Sequence, residues 1–411
     1  MTETNPRCRS CSSPRLETVL DLGRTPLANA LLDALEPAAP EETFPLVLVF
    51  CPECSLVQIT ETVPPDKLFT NYPYFSSYSD TMLRHASELA GDVCESRRLD
   101  SQSLVIEAAS NDGYLLRNYK RLGIPVLGVE PAANVARVAE QEHEIPTLCT
   151  FFGASTAAEL RDQGRMADVF HAHNVLAHVA DLNGFVSGIA TILKPNGLAV
   201  LEFPYVRDLI VGLEFDTIYH EHLCYFSLAS VEALLARHGL HIIDVEHIPI
   251  HGGSLRVRAT RQEAIQSSAR LAALREDEQR QGLMRNSFYQ DFSARVALLN
   301  RTVTTLLADL RKGGCTLAAY GASAKGATLL NTFGIGRETL DFVADRSPHK
   351  QGRYTPGTHL PIVSPTRLVE ARPDYVLLLT WNFADEILAQ QEAYRRLGGK
   401  FIVPLPVLRI V

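Results

Sequence analysis

The sequence predicts an α/β protein in three parts: a small metal-stapled module at the N-terminus, then two doubly wound units built on parallel sheets. Three observations carry that prediction. Two C-x₂-C pairs, Cys8 with Cys11 and Cys51 with Cys54, stand near the start. Short apolar runs then alternate with amphipathic stretches from about residue 81 to 265. A second alternation of the same kind begins near residue 316. Short apolar runs separated by helices mean βαβ units with buried parallel strands. The expected parts are 1–70, 71–265 and 266–411, in keeping with a 411-residue chain and a prior of about 150 residues per domain.

Each C-x₂-C turn grips one ion with two thiolates, and two such turns close a tetrahedral Zn²⁺ shell. A shell with no open position is structural, so this zinc staples a module too small to fold without it. Residues 12–50 between the pairs leave room for a strand-rich insertion, and FPLVLVF (44–50) and LVQIT (56–60) supply strands. A disulfide pair and a redox C-x-x-C are the rival readings. A disulfide needs an oxidising compartment, and nothing here points to secretion. Cys94, Cys149, Cys224 and Cys315 lie apart and read as small core residues.

Apolar content of 46% and charged content of 21% describe an ordinary folded chain. The net charge of −8 argues against nucleic acid as a partner, because phosphate binding wants a basic face. The N-terminus has no apolar h-region, and no apolar run approaches the roughly 18 residues of a membrane span. The expectation is a soluble cytoplasmic protein, a monomer or small homo-oligomer, with no membrane partner.

NYPYFSSYSD (71–80) is a run of aromatics and hydroxyls, either a packed connector or a pocket wall. TMLRHASELAGDVCES (81–96) reads as a helix. SLVIEAA (103–109), VLGVE (126–130), ADVFHAH (167–173) and GLAVLEF (197–203) read as parallel strands. Residues 266–312 are helix-rich and charged. TLAAYGASAKG (316–326), LDFVADR (340–346) and DYVLLLTWNF (374–383) begin the last unit.

The first strand of the middle unit runs into Ser110-Asn111-Asp112-Gly113, with Glu107 on the strand and Ala108 and Ala109 beside the turn. Small residues there let a ligand approach the backbone. Glu130, ending the next strand, can accept both hydroxyls of a ribose. A nicotinamide cofactor and S-adenosylmethionine both suit that pattern. The loop separates them. A dinucleotide needs G-x-G-x-x-G to seat its pyrophosphate, and this loop has no second glycine at that spacing. Asp112 stands where a phosphate would be repelled. S-adenosylmethionine carries a sulfonium and an ammonium and no phosphate, so it is the expected cofactor.

The chain resembles the S-adenosylmethionine-dependent C-methyltransferases that act on nucleotide-linked deoxy-keto-sugars in antibiotic biosynthesis. The resemblance covers nearly the whole chain. It rests on CRSC and CPEC, YPYFSSYSD, EAASNDG (107–113), GVEP (128–131), TFFG (150–153), NVLAHV (174–179), EFPY (202–205), YHEH (219–222), HGGS (251–254), YGASAKG (320–326) and TWNF (380–383). It implies a zinc module, a central class I methyltransferase (Rossmann-like) domain and a C-terminal Rossmann-like domain that holds the nucleotide sugar. It implies that Glu107, Ala109, Asn111, Asp112, Gly113, Glu130 and Pro131 surround the cofactor. Thr150, Phe151 and Phe152 are implied to pack around adenine, and Asn174 to lie close to the transferable methyl. Similar enzymes have glycine where this chain has Ala109, which narrows the room beside the cofactor carboxylate.

Tyr219-His220-Glu221-His222 packs four ionisable groups into four residues. Zinc ligands on a helix sit at i and i+4, as in H-E-x-x-H; here the histidines are two apart. General-base chemistry fits this spacing better than a catalytic metal. Methylating carbon beside a ketone requires removal of an α-proton, which a neutral imidazole accepts near neutral pH. A carboxylate, Glu221, is expected to fix its tautomer. Tyr219 or another histidine is expected to donate to the enolate oxygen. The resemblance gives the base role to His222 and adds Tyr74 and His178 to the active site.

In YGASAKG, amides at a helix N-terminus plus Lys325 suit a diphosphate. His251, Gly252, Ser323, Asn331, Trp381 and Asn382 complete the expected substrate residues. Trp381 is expected either to offer a stacking face or to anchor a domain interface. The reading is a C-methyltransferase acting on a nucleotide-linked 4-keto-deoxysugar, with dTDP as the expected nucleotide. The rivals are an NAD-dependent sugar oxidoreductase, a non-catalytic zinc-containing binding protein, and a methyltransferase for a non-sugar ketone or an oxygen.

Overall fold

The computed structural model describes residues 6–33, 41–64, 68, 76–250, 252–263 and 265–411. The first sheet opens with an antiparallel hairpin, β1 (Glu17–Pro26) on β2 (Thr43–Phe50), and continues into β3 (Val57–Ile59). The two expected runs become β2 and β3. β1 was not expected, because charges interrupt its apolar pattern and only Val19 and Leu20 are buried at its centre.

The second sheet holds β4 (Val105–Ala108), β5 (Val126–Val129), β6 (Thr147–Leu148), β7 (Ala167–His173) and β8 (Leu193–Pro204), all parallel. β9 (Cys224–Tyr225) leaves this sheet and pairs with β3 of the first. β10 (His241–Ile248) and β11 (Ser254–Thr260) then form an antiparallel hairpin on β8. The order is β10-β11-β8-β7-β4-β5-β6. The chain reverses direction across the sheet at β4, and in open α/β sheets ligands bind at that switch point, beyond the carboxyl ends of the strands. The β10–β11 hairpin was missed, because its strands alternate apolar and charged residues rather than running apolar throughout.

The third sheet holds β12 (Leu317–Tyr320), β13 (Val343–Ala344), β14 (Ile362–Val363), β15 (Tyr375–Leu378) and β16 (Lys400–Val403), all parallel. β17 (Arg409–Ile410) adds antiparallel to β16. In the order β14-β13-β12-β15-β16-β17, the switch point falls at β12, which leads into YGASAKG.

Helices Ala269–Gln281 and Phe292–Lys312 join the second sheet to the third. Glu278 on the first of them is buried. Its carboxylate accepts from Tyr205 Oη at 2.8 Å, Leu228 N at 2.7 Å and Ala229 N at 2.9 Å. It thereby satisfies the open amides at the start of helix Leu228–Ala236, where a negative charge is favoured. Phe215 stacks on Phe333 with ring centres 4.9 Å apart, and Trp381 Nε1 donates to Asp216 Oδ2 at 2.7 Å. These contacts seat the third sheet on the second. Among the described residues no helix is long and apolar enough to cross a membrane.

Candidate active site

A cavity of about 660 Å³ lies where the carboxyl end of the second sheet faces that of the third. Its walls come from the loops after β4, β5 and β7, from the Tyr219–His222 turn, and from the loops after β12 and β15.

The loop after β4 is bent by three residues with positive φ: Ala109 at 51°, Asn111 at 51° and Gly113 at 77°. A Cβ on Gly113 would come within 2.8 Å of Ile145 Cγ1, so only glycine fits there. Ala109 holds a left-handed conformation, which costs a residue with a Cβ about 1 kcal/mol and explains why glycine suits this position. The Glu130 carboxylate accepts from Asn111 N and from Ala132 N, each at 2.9 Å. Asn111 Oδ1 and Asp112 Oδ2 accept from Ser76 N at 2.8 Å and Ser77 N at 3.1 Å. The loop therefore fixes the chain just before helix Asp80–Arg97, whose Ser79 side chain caps it by accepting from Met82 N.

Beneath this wall lie buried polar atoms with no hydrogen-bond partner among the described residues. They are both Glu107 carboxylate oxygens, Ser110 Oγ, Asp112 Oδ1 and Asn174 Oδ1. Burial pushes the Glu107 carboxyl well above the usual carboxylate range, and Glu130, Asp112 and Glu202 push it further. Buried polar groups rarely stay unpaired in a native protein, and unpaired acidic acceptors call for a ligand rich in donors and positive charge. S-adenosylmethionine, with its ammonium, sulfonium and ribose hydroxyls, fits that demand. A pyrophosphate does not.

Ala109, Asn111, Glu130, Pro131, Phe151, Phe152 and Asn174 line the cavity. Glu107, Asp112 and Gly113 stand behind its wall. Thr150 is a correction: its amide bonds Leu148 O at 2.9 Å and the residue turns out to solvent. Phe151 is 46% exposed, whereas Phe152 packs on Phe170 and Phe185.

At the other end, YHEH is neither helix nor strand but a turn, closed by His222 N on Tyr219 O at 2.9 Å. It sends its two histidines opposite ways. His220 is buried against the first sheet, with Nε2 at 3.1 Å from Pro45 O and its ring against Phe44. His222 faces the cavity. Its Nδ1 lies 2.8 Å from the Thr217 carbonyl oxygen, which can only accept, so Nδ1 carries a proton. In the neutral ring Nε2 then holds the lone pair, 3.1 Å from Tyr219 Oη. The expected pair between His222 and Glu221 is corrected: neighbours in a turn diverge, and Glu221 instead accepts from Asn29 Nδ2 at 2.6 Å. The tautomer is fixed by a backbone carbonyl. Burial pushes the Glu221 carboxyl up to about 7, and the Asn29 bond opposes that shift. His178 lines the cavity with its ring 4.8 Å from that of His222, and burial pulls it down to about 4, so it is neutral at neutral pH.

Ser323, Lys325 and Asn382 also line the cavity. Ser323 caps helix Ala324–Phe333 by accepting from Gly326 N at 3.1 Å. Lys325 Nζ is buried without a hydrogen-bond partner among the described residues and lies 4.9 Å over the Trp381 ring. Trp381 itself does not line the cavity: it is the interface anchor, and Lys325 occupies its face. Asn331 is a second correction. Its amide bonds Ala327 O at 2.8 Å and Pro356 O at 3.1 Å, which ties a helix to a turn away from the cavity. Gly252 lies behind the wall, where a Cβ would meet Glu214 Oε2 at 2.4 Å. Tyr74 and His251 lie outside the described residues.

Sequence reasoning missed Glu214, His173 and Tyr225, all on the wall. Burial pushes Glu214 up to about 7 and Asp216 up to about 6, with Lys325 opposing both shifts. The only available signal was two acids in LEFDT (213–217), one residue before YHEH. His173 is held by Glu202 Oε2 at 3.1 Å and by His171 at 2.8 Å, a buried chain that reaches Tyr119 Oη.

The four cysteines of the first sheet bring their sulfurs within 4.8 Å of one another. Cys8 and Cys54 are 3.4 Å apart, and Cys11 and Cys51 are 3.5 Å apart. Those separations approach the roughly 3.8 Å edge of a tetrahedron with 2.3 Å Zn–S bonds. The two turns repeat one geometry: Ser12 N bonds Cys8 O and Ser55 N bonds Cys51 O, each at 2.8 Å, with Ser12 and Ser55 at φ 62° and 61°. The donor set fits a closed structural Zn²⁺ site. Among the described residues it is the only such cluster.

Three family models tile the chain: a zinc-binding domain at residues 8–69, a methyltransferase domain at 82–245 and a C-methyltransferase C-terminal domain at 249–406. The C-methyltransferase NovU of Streptomyces niveus is 35% identical over 406 residues, 98% of this chain and 96% of that protein. The ubiquinone biosynthesis O-methyltransferase of Bartonella bacilliformis is 29% identical over 150 residues, 34% of this chain and 60% of that protein. The magnesium protoporphyrin IX methyltransferase of Synechocystis aligns in structure with a TM-score of 0.34 and 16% identity, over 44% of this chain and 79% of that one. That structural likeness is too low to carry weight.

Proposed function

Because this chain belongs to the S-adenosylmethionine-dependent C-methyltransferase family, we propose that its cavity methylates the carbon beside the ketone of a nucleotide-linked 4-keto-deoxysugar. One observation supports this reading most. His222 Nδ1 is pinned to the Thr217 carbonyl, which leaves the Nε2 lone pair on the wall of the cavity that also holds the loop after β4. The α-proton of a ketone is only weakly acidic, so a carbon acceptor depends on such a base.

S-adenosylmethionine supplies, when bound, an electrophilic methyl on its sulfonium. Glu130 and Asn111 would hold it from the sheet side, Phe151 and Phe152 beside its planar base, and the unpaired Glu107 and Asp112 oxygens would balance its positive charge. Asn174 lies on the same wall. His222 Nε2 takes the α-proton of the ketone, and the resulting imidazolium keeps its Nδ1–H on Thr217 O. In the resting site the Tyr219 hydroxyl donates to Nε2 at 3.1 Å; when the substrate's α-proton takes that lone pair, the released hydroxyl turns to donate toward the enolate oxygen. His178 stays neutral because burial holds it near 4, so it contributes a neutral N–H rather than a charge. Lys325 and the capped start of helix Ala324–Phe333 offer a cation and open amides to a diphosphate. A handle bound there positions the sugar without touching the reacting carbon.

The test is a panel of nucleotide-linked 4-keto-6-deoxysugars incubated with enzyme and donor, read by mass spectrometry and carbon NMR. The reading predicts a gain of one CH₂ on a carbon adjacent to the ketone. A methyl on oxygen, or turnover only of non-sugar ketones, would overturn it.

A further inference from the structure

No described residue of the zinc-stapled module lines the cavity wall, yet the module grips the turn that carries His222 at three points. Asn29 Nδ2 donates to Glu221 Oε1 at 2.6 Å. His220 Nε2 lies 3.1 Å from Pro45 O. β9, two residues after His222, adds to the module's sheet through Val57 on Tyr225 and Gln58 on Cys224. The cysteines and Asn29 sit at opposite ends of one hairpin. Glu17 pairs with Phe50 beside the cysteine turns, and Pro26 pairs with Thr43 at the far end, three residues before Asn29. The staple therefore fixes the hairpin, and the hairpin's far end reaches the turn.

Glu221 is 6% exposed, and Asn29 reaches it from the module surface. We propose that Asn29 is a positioning residue for the reaction, with its amide holding the Glu221 carboxyl behind the turn that presents His222. The proposal rests on placing the reaction at the Tyr219–His222 turn. Without that bond the buried carboxyl loses the side-chain donor that fixes it, and it lies in the turn whose next residue is His222. His178 also meets the turn, at the backbone of Glu221. Burial raises the Glu221 carboxyl to about 7, and among the described residues Asn29 is the side chain that opposes the rise. A donated N–H favours the ionised form. Asn29 thus fixes the direction of the Glu221 carboxyl and opposes the rise that burial imposes on it.

The test is a carbon-13 titration of the Glu221 carboxyl in the zinc-loaded full chain, with the resonance assigned by its loss in Glu221→Gln. Wild type should titrate near 7. Asn29→Ala should move the midpoint up by about one pH unit, the loss of one hydrogen bond to a charged group. Asn29→Asp, nearly the same shape, should move it further up, because a second carboxylate faces the first. A positioning role also predicts that Asn29→Ala lowers kcat while the KM of donor and keto-sugar stays near wild type; kcat unchanged, or kcat and both KM values shifted together, would show a structural contact only and overturn the proposal. In the unmutated protein the Asn29 side-chain amide resonances should follow the same midpoint and lose that dependence in Glu221→Gln. A midpoint unmoved in both Asn29 variants, or wild-type amide resonances that do not follow Glu221, would overturn the proposal. The titration needs no substrate. If no keto-sugar is methylated, the functional reading fails while this result stands.

Discussion

The two ends of the cavity are built in opposite ways. In the proposed site the donor end comes chiefly from two short stretches, Glu107 to Gly113 and Glu130 to Pro131, on adjacent strands and the loops that follow them. Its geometry is local, set by three positive-φ residues and by backbone amides on Glu130. The proposed acceptor end is walled by the connection after β8 and by the third sheet, and is held from behind by the first. Asn29 and Pro45 come from the first, Thr217 to His222 from the connection after β8, and Ser323 to Lys325 from the third. The donor end should therefore fail one residue at a time. The acceptor end should fail whenever any of the three sheets shifts.

Zinc removal gives the largest expected separation of the two ends. Cys51→Ser should lose the stoichiometric zinc found in wild type, about one per chain for one Cys₄ site. Methyl transfer should then fall by about 10³ or more, while donor affinity measured by calorimetry changes by less than about threefold, because no described residue of the module lines the donor end. A zinc-free protein that transfers methyl at the wild-type rate would break the comparison. The reverse perturbation is Glu130→Ala, which removes an acceptor and leaves the Asn111 and Ala132 amides unpaired. Donor binding should weaken by about 1.5–3 kcal/mol, with nucleotide-sugar affinity unchanged. Equal losses for both ligands would show that the two ends are not independent.

A smaller effect follows from pH. The Glu221 carboxyl is raised in the folded protein from 4.5 to about 7. A raised group contributes stability in full below its unfolded value, and that contribution is lost as pH rises through the folded value. Wild type should therefore lose part of its stability between about pH 4.5 and pH 7, with Glu214 and Asp216 acting in the same direction. Glu221→Gln cannot ionise. It should show a shallower loss across that window and be on the order of 1–2 kcal/mol more stable than wild type at pH 8. Urea unfolding at pH 5 and pH 8 measures both. Parallel curves for the two proteins would show that Glu221 ionises without cost, contrary to its burial.

The same contrast explains what could be read in the sequence. The cysteine turns, the parallel strands and the donor loop were legible, because each is a short pattern whose chemistry lies within a few residues. YHEH was legible as a cluster but not as a geometry. Adjacent residues in a turn point apart, so the partners of His222 and Glu221 are Thr217 and Asn29, and no spacing rule links 29 with 221. Asn331 looked like a ligand residue by type, and Trp381 read as either a stacking face or an interface anchor; they bond Pro356 and Asp216, partners that only packing of the third sheet reveals. Glu214 was passed over because an acid before a turn has no distinctive pattern. Its burial beside Lys325 exists only in the assembled fold.

The central claim is that His222 removes the α-proton of the acceptor. Exchange of that hydrogen with heavy water tests it most directly, with S-adenosylhomocysteine in place of the methyl donor so that proton removal is read without transfer. Wild type should exchange the α-hydrogen of a nucleotide-linked 4-keto-6-deoxysugar. His222→Asn should bind both ligands and slow exchange by about 10²–10⁴, the usual contribution of a general base. Exchange at the wild-type rate in His222→Asn would contradict the account and place the base elsewhere on the cavity wall, with His178 the next to test.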